Sequence, residues 1–244
     1  MAISKPYPRI FIPMDSDTEI SSSPYLEDNR YVDNREASSL INAAALIIDD
    51  YMSLCEYIEP VNKNKNTYSH RTYELLLRVA TEFEANCKGI LEANGYNVSH
   101  VNIKDYCKLN QVMLLDQYKI KTSLWSPEQT LMPLSEWSTG HSLTWYNAYN
   151  DSKHNRFSNF DKASFENVFK GICSLVVLLA AQFPFMVGRI SGRSNLIFTT
   201  DEPNTLLTSD FSIEFPTRQD SQKYSFDWNT LKCDASPFDK YQFS

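Results

Sequence analysis

The chain has 244 residues, of which 42% are hydrophobic and 22% charged, a composition typical of a globular protein with one sizeable core. The formal net charge of −7 at pH 7 argues against a broad phosphate-binding surface, because such a surface needs many clustered cations, so any nucleic-acid contact should be local. The five cysteines are odd in number and form no Cys-x-x-Cys pair, which favours reduced thiols over disulfides or zinc ligation.

The first part of the chain is predicted to be an arm followed by a helix. Residues 1–37 form the predicted N-terminal arm, since most of this segment is rich in Ser, Asp, Asn and Glu and shows little periodicity. From Leu40 to Ile58, apolar residues recur at helical spacing. Pro60 then closes this first predicted helix.

A second helix is predicted from the candidate N-cap Ser69 to about Gly95. Glu84 interrupts its pattern, because at about 100° per residue this side chain projects near the middle of the apolar stripe. A carboxylate that faces a core needs an ion-pair or hydrogen-bond partner. Two interpretations follow: Glu84 has a purely structural partner, or it orients cations that come later in the chain.

The middle of the chain is predicted to be less regular. A weaker helix is expected over 104–119, and Pro127 and Pro133 exclude one long helix over 124–140. Asp161 is then a candidate N-cap for a long helix that is apolar almost all round. Such a helix is typical of the centre of a bundle.

Near the C-terminus the hydrophobic period changes. Apolar and polar residues alternate, as in half-buried strands, at positions 196–198, 211–215 and 224–228. We therefore predict an all-α bundle of four to five helices over 38–192, followed by a small C-terminal β extension and an aromatic tail over 193–244.

The common catalytic motifs cannot be assembled from this sequence. The six glycines are too dispersed for a P-loop or a dinucleotide-binding fingerprint. The four histidines match no metal-binding spacing, and there is no Gly-x-Ser-x-Gly elbow. We accordingly predict no metal site and no cofactor, and covalent hydrolase chemistry has no support.

The most informative segment precedes the predicted central helix and combines aromatic, amide and cationic side chains. If it forms one helix, Asn147, Asn150 and His154 share a face, with Lys153 beside Asn150. Histidine can transfer a proton near neutral pH, amides can orient a substrate, and Lys153 or Arg156 could stabilise developing charge on a phosphate. Alternatively, the polar residues cap helix ends and the aromatic ones fill the core.

Three segments of the chain resemble uncharacterised bacterial proteins related to the HEPN superfamily, namely the helix over 71–84, the connector over 131–137 and the block over 145–156. The resemblance covers about residues 40–185. It implies a bundle of four or five helices that is often dimeric. Many members of that superfamily are metal-independent RNases of toxin, antiphage or RNA-processing systems, while others bind nucleotides or are inactive.

The active pattern of that superfamily is an arginine, four to six intervening residues and a histidine at the start of a late helix. His154 matches the histidine, but the positions for the arginine hold Asn147, Ala148 and Tyr149. A lysine and an arginine lie close to His154 in the chain instead. The chain therefore departs from the family pattern at the arginine.

The resemblance implies a metal-independent endoribonuclease of a toxin or defence type. Its candidate catalytic residues are His154, Lys153 and Arg156, and its candidate substrate-binding or orienting residues are Asn147, Asn150 and Glu84. The alternative is a non-catalytic binding or dimerisation module, or a nucleotide-binding sensor, with a structural polar cluster.

The expected partners are RNA, a second copy of the chain in a homodimer, and a partner protein. The apolar stretch over 172–187 is shorter than the roughly 20 residues that cross a bilayer, so we expect a core helix and no membrane contact. The N-terminus lacks the apolar segment of a signal peptide, and a cytoplasmic location is predicted.

Overall fold

The computed structural model describes residues 2–15, 23–186, 198–199, 205–208 and 210–244. The α-helices of these residues are α1 (Asn34–Cys55), α2 (His70–Ala93), α3 (Ile103–Cys107), α4 (Asn110–Met113), α5 (Thr144–His154), α6 (Arg156–Asn159), α7 (Phe165–Ala180) and α8 (Trp228–Leu231). The strands are β1 (Lys119–Thr122), β2 (Gln129–Leu131), β3 (Phe198–Thr199), β4 (Thr205–Leu207) and β5 (Phe211–Glu214).

Helices α1 and α2 form a hairpin whose two starts are capped by side chains. Asp33 accepts hydrogen bonds from the backbone N–H groups of Arg35 and Glu36, so α1 starts before the first residue of the predicted apolar stripe. The predicted N-cap Ser69 is confirmed, since it forms a reciprocal capping box with Thr72 at the start of α2. Local sequence signals therefore set where both helices begin.

Helix α7 is the centre of the fold, as its apolar sequence predicts, and α1, α2 and α5 all pack against it. It begins later than expected, because its N-cap is Ser164, whose side chain accepts from the N–H of Asn167, while Asp161 lies in a 3₁₀ turn. In the described residues, no helix combines the length and apolar character needed to cross a membrane.

The described strands form one antiparallel sheet in the order β2-β1-β5-β4-β3. Strand β1, from the middle of the chain, pairs with both β2 and β5, so that Ile120 lies opposite Leu131 and Ile213. The prediction of an all-α bundle of four to five helices with a small C-terminal β extension is therefore wrong. The sheet joins mid-chain and C-terminal segments, and the chain has more helical segments than predicted.

The physical reason for this error lies in residues 104–131. Helices α3 and α4 replace the single predicted helix, and Leu114 ends α4 with a left-handed backbone (φ 54°, ψ 41°) that a helix cannot continue. A 3₁₀ turn over Leu115–Gln117 follows, and the chain is extended from Tyr118 onward, where Ile120 and Thr122 face inward while Lys121 is exposed. This alternation is short, and a search for helical periodicity misses it.

The predicted C-terminal strands have mixed outcomes. The strand over 211–215 is confirmed by β5. The segment over 224–228 is not a strand, because Tyr224 forms only isolated bridges with the N-terminal segment and Trp228 begins α8. Of the segment over 196–198, only Phe198 is among the described residues, and the rest of that prediction lies outside them.

The N-terminal segment and the C-terminal tail both contact the helices. Arg9 is buried, and its Nε and Nη2 atoms donate to Oε1 of Gln182 at 3.0 and 2.8 Å, while Nη1 pairs with Glu36 at 2.7 Å. Burial lowers the pKa of Arg9, and the Glu36 carboxylate opposes that change. In the tail, the N–H of Tyr241 donates to Oδ1 of Asn94 at 3.1 Å. Both chain ends therefore pack onto the helical part.

The close approach of α7 to its neighbours yields a stability prediction at Gly171. A Cβ atom there would lie 2.8 Å from Cγ1 of Val79 and 3.2 Å from Cε3 of Trp145. Alanine favours a helix over glycine by about 1 kcal/mol, but overpacking a rigid core costs about 1–3 kcal/mol. We expect Gly171→Ala to lower the free energy of unfolding, measured by urea titration.

The matched control is Ser39→Ala on the exposed face of α1, which adds alanine where nothing is crowded. It should change stability by no more than about 0.5 kcal/mol. A Gly171→Ala variant as stable as the wild type would show that α7 can move away from α2 and α5.

Candidate functional site

Helix α5 carries most of the candidate residues and has two different faces. Its N-terminus is held by Glu136, whose carboxylate accepts from the backbone N–H of Thr144 at 2.8 Å and also from its hydroxyl. Trp145, Tyr146 and Tyr149 point into the core and are each at most 5% exposed. The opposite face is open to solvent, so the predicted helix and its polar face are confirmed.

The inner face of α5 contains the partner of Glu84. The hydroxyl of Tyr146 donates to Oε1 of Glu84 at 2.6 Å, and the rings of Tyr146 and Tyr149 meet edge to face. Burial raises the pKa of Tyr146 above its ordinary value, and the hydrogen bond to Glu84 raises it further. In the described residues, Glu84 makes no hydrogen bond or ion pair with Lys153, His154 or Arg156. Its direct hydrogen bond therefore joins α2 to α5.

Lys153 lies at the edge between the two faces of α5. Its Nζ donates to the hydroxyl of Tyr149 at 2.9 Å and lies 4.9 Å from the centre of that ring. This hydrogen bond raises the pKa of Lys153, with partial burial opposing it and the more distant Glu84 carboxylate adding to it. Glu84 therefore acts on Lys153 electrostatically and through the contacts that link Tyr146, Tyr149 and Lys153.

The outer face of α5 contains Asn147, Asn150 and His154. The amide oxygen of Asn147 accepts from the hydroxyl of Ser142 at 2.7 Å, which fixes that side chain against the preceding loop. Asn150 is half-buried and His154 is exposed, and neither side chain makes a hydrogen bond within the described part of the chain. The structure therefore brings these three residues onto one helical face but gives His154 no orienting partner.

The chain bends between α5 and α6, which separates Arg156 from the α5 face. Asn155 has φ −141° and ψ 74°, and its side chain accepts from the N–H of Ser158 at the start of α6. The guanidinium of Arg156 lies 5.6 Å from the centre of the Tyr73 ring on α2. The bend is therefore what turns Arg156 and Phe157 outward.

The side chain of Phe157 is 100% exposed. The sequence did not predict this exposure, because an apolar residue in a helical segment is normally expected to face the core. We call Lys153, His154, Arg156 and Phe157 together the α5–α6 surface. It combines one fully exposed aromatic ring with three basic side chains, at the end of α5 and the start of α6.

The basic side chains of the α5–α6 surface differ from their neighbours in having no carboxylate partner. Nearby Lys162 pairs with Asp151 at 2.7 Å, and Lys170 pairs with Glu166 at 2.9 Å. Across the described ranges, Lys153, His154 and Arg156 form no ion pair. The surface is therefore locally positive although the whole chain is acidic.

Two further observations concern ligands and relatives. In the portion of the chain that the structure describes, no group of three or more His, Cys, Asp or Glu side chains is arranged to hold a metal ion. No protein-family model matches the chain, and neither any curated protein nor any solved structure is significantly similar to it.

The hydrogen bond between Tyr146 and Glu84 gives a prediction that separates the structural face of α5 from its outer face. Tyr146→Phe removes the donor to a half-buried carboxylate and should cost about 1 kcal/mol of stability near neutral pH. The pKa of Tyr146 is raised in the fold, so keeping its phenol neutral stabilises the folded protein relative to the unfolded chain. This stabilisation is complete below about pH 10, the pKa of an unfolded tyrosine, and it is lost as the pH rises further.

Urea titrations near pH 7 and above pH 10 would measure both effects. Between these two pH values, the free energy of unfolding should fall less in Tyr146→Phe than in the wild type. Tyr57→Phe is the control, because Tyr57 is 86% exposed and should match the wild type at both pH values. Equal stability of Tyr146→Phe and the wild type would contradict a structural role for this hydrogen bond.

Proposed function

We propose that the protein acts on RNA, which binds as a single strand across the α5–α6 surface and is cleaved without a metal ion. The observation that carries this proposal is the fully exposed ring of Phe157 beside basic side chains that lack carboxylate partners. Proteins that bind single strands combine a positive surface with aromatic rings on which bases stack. The acidic charge of the chain restricts such binding to a local contact of this kind.

The chemistry follows from the residue types on this surface. In metal-free RNA cleavage the 2′-oxygen attacks the adjacent phosphorus, the bond to the 5′-oxygen breaks, and a 2′,3′-cyclic phosphate forms. A histidine can take the proton of the 2′-hydroxyl or give one to the departing 5′-oxygen. His154 is the candidate for this transfer, and its exposure gives a strand free access.

Two cations are available to the phosphate in this proposal. The guanidinium of Arg156 rests on the Tyr73 ring and has no carboxylate to compete with a phosphate. The hydrogen bond of Lys153 to Tyr149 leaves further ammonium donors for a phosphate oxygen. Either can stabilise the negative charge that develops on the phosphate oxygens. Asn150, half-buried on the same face as His154, is the candidate to orient the strand.

The first test is cleavage of labelled single-stranded and hairpin RNAs in excess EDTA. Wild-type protein should cut unpaired nucleotides, and His154→Ala should be slower by about a hundredfold or more, the usual contribution of general acid–base catalysis. His100→Ala, which removes another exposed histidine, should cleave like the wild type. Equal rates for His154→Ala and the wild type would contradict the assigned proton transfer.

Binding is tested separately from cleavage by fluorescence anisotropy with a single-stranded DNA of the same base sequence, which lacks the attacking 2′-hydroxyl. Phe157→Ala should weaken binding by about 1–3 kcal/mol if a base stacks on the ring. Tyr57→Ala is the control, since it removes another highly exposed aromatic residue outside the α5–α6 surface. Unchanged affinity of Phe157→Ala would refute the proposed stacking.

A second candidate function is RNA binding without cleavage. It is favoured by the absence of a hydrogen-bond partner for His154 among the described residues, because a catalytic base is commonly oriented by a third group. In that case the wild type should bind the strand, lose affinity with Phe157→Ala, and leave every RNA intact.

A further inference from the structure

Four aromatic rings meet at the start of α2, beside the α5–α6 surface. The central ring is that of Phe160, whose centre lies 4.9 Å from the centre of the His70 ring and 5.6 Å from that of Tyr68. It also lies 5.9 Å from the centre of the Tyr73 ring. We call these four residues the Phe160 cluster. Tyr68 is 49% exposed and His70 is exposed, so two of the four rings are open to solvent.

Arg156 links the Phe160 cluster to the α5–α6 surface. Its guanidinium lies 5.6 Å from the centre of the Tyr73 ring, and it has no ion pair within the described ranges. Tyr73 and His70 are three residues apart on α2, which makes them neighbours on one side of that helix. Phe157, which follows Arg156 in the chain, is fully exposed. An unpaired cation therefore connects the exposed ring of Phe157 with the rings of the Phe160 cluster.

The backbone that carries Tyr68 and His70 is held in place by contacts within the fold. The N–H of Phe165, the first residue of α7, donates to the carbonyl oxygen of Thr67 at 2.8 Å. The side chain of Ser69 caps the start of α2. Because these contacts fix the segment before a ligand arrives, little conformational entropy is lost when a ligand binds to its rings.

The charges around the Phe160 cluster balance one another, in contrast to those of the α5–α6 surface. Asp161 and Lys65 lie in the two segments that carry the rings, and both are exposed without an ion pair among the described residues. Arg71, also at the start of α2, is paired with Glu74 at 3.2 Å. A ligand at this cluster is therefore held by contact with the rings more than by charge.

We propose that the Phe160 cluster is a second base-stacking subsite for the strand that crosses the α5–α6 surface. One base stacks on the ring of Phe157, another stacks on the ring of Tyr68, and the guanidinium of Arg156 holds a phosphate between them. Proteins that bind single strands without sequence preference stack bases on aromatic rings along a positive surface. This subsite rests on the proposed function, because it needs a strand on the α5–α6 surface, but it does not need cleavage.

The second subsite makes the ligand a strand of several nucleotides. From Tyr68 through Phe160 and Tyr73 to the Arg156 guanidinium, neighbouring centres are 5.6 to 5.9 Å apart. Adjacent bases of a stacked strand are about 3.4 Å apart, which is less than any one of these three steps. A dinucleotide is therefore expected to fill one subsite, and a longer strand to fill both.

The test is the affinity of Tyr68→Ala for the uncleavable single-stranded DNA, measured by fluorescence anisotropy at lengths from two to about ten nucleotides. With the longest strand, Tyr68→Ala should bind at least about fivefold more weakly than the wild type, the loss expected for one stacked base. Shortening the strand to a dinucleotide should cost the wild type more affinity than it costs Tyr68→Ala, because only the wild type has a second subsite to leave empty.

Two control variants show whether the ring of Tyr68 is responsible. Tyr68→Phe keeps the ring and should bind like the wild type, which separates stacking from any effect of the hydroxyl. Tyr57→Ala removes a residue that is 86% exposed outside both surfaces, and it should also bind like the wild type. The melting curve of Tyr68→Ala should match that of the wild type, because half of this side chain is already in water.

The salt dependence of binding tests the phosphate contact between the two subsites. Arg156→Ala should lower the slope of log affinity against log salt concentration by about 0.7, the value for one phosphate contact to a single strand. Tyr68→Ala should leave that slope unchanged, because its contact is with a base. Lys104→Ala is the control, since it removes an exposed lysine of α3 that has no ion pair in the described part of the chain.

The possible failures are distinguishable. If the wild type binds the strand and Phe157→Ala weakens binding while Tyr68→Ala does not, the second subsite is refuted and the proposed function stands. An unchanged salt slope in Arg156→Ala would refute the phosphate contact that joins the subsites. If the wild type binds no strand of any length, the proposed function fails and the second subsite fails with it. A Phe160 cluster that instead contacts another protein belongs to this last result.

Discussion

Helix α7 has almost no side that faces solvent, and this constraint determines how the other elements are arranged. Its residues from Phe165 to Ala180 are buried nearly throughout, so the helix must be covered from every direction. Helices α1, α2 and α5 cover part of it, and Trp125, between β1 and β2, stacks on Phe169. Gly171 lets the Trp145 ring approach closely. Because Trp145 fixes which side of α5 faces inward, the position of α7 also determines which residues of α5 remain exposed.

The two faces of α5 meet different physical demands. On the inner face, Tyr146 satisfies the half-buried carboxylate of Glu84 and Tyr149 accepts from Lys153, while the buried indole N–H of Trp145 has no hydrogen-bond partner within the described residues. On the outer face, the polar and basic side chains are in water, where a missing partner carries little cost. Exposed groups without internal partners are the ones available to a ligand. The polar cluster is thus divided between a structural part and the α5–α6 surface.

The α5–α6 surface keeps unpaired basic side chains although the chain as a whole is acidic. Close by, Lys162 is neutralised by Asp151 and Lys170 by Glu166. Within the described residues, Lys153 and Arg156 form no ion pair, so this surface is suited to an anionic ligand. Helix α2 contributes to it, since the Tyr73 ring lies 5.6 Å from the guanidinium of Arg156.

The sequence alone determined the long helices α1, α2 and α7, because their signals are local: the stripe of α1, the cap of Ser69 and the apolar character of α7 all lie within a few turns of the residues they control. It also placed Asn147, Asn150 and His154 on one face. Only the tertiary structure decided that Ile120 pairs with Ile213, that the donor to Glu84 lies 62 residues away, and that Phe157 is bare. Strand partners, buried hydrogen bonds and exposure depend on residues that are distant in the chain, and a local period carries no information about them.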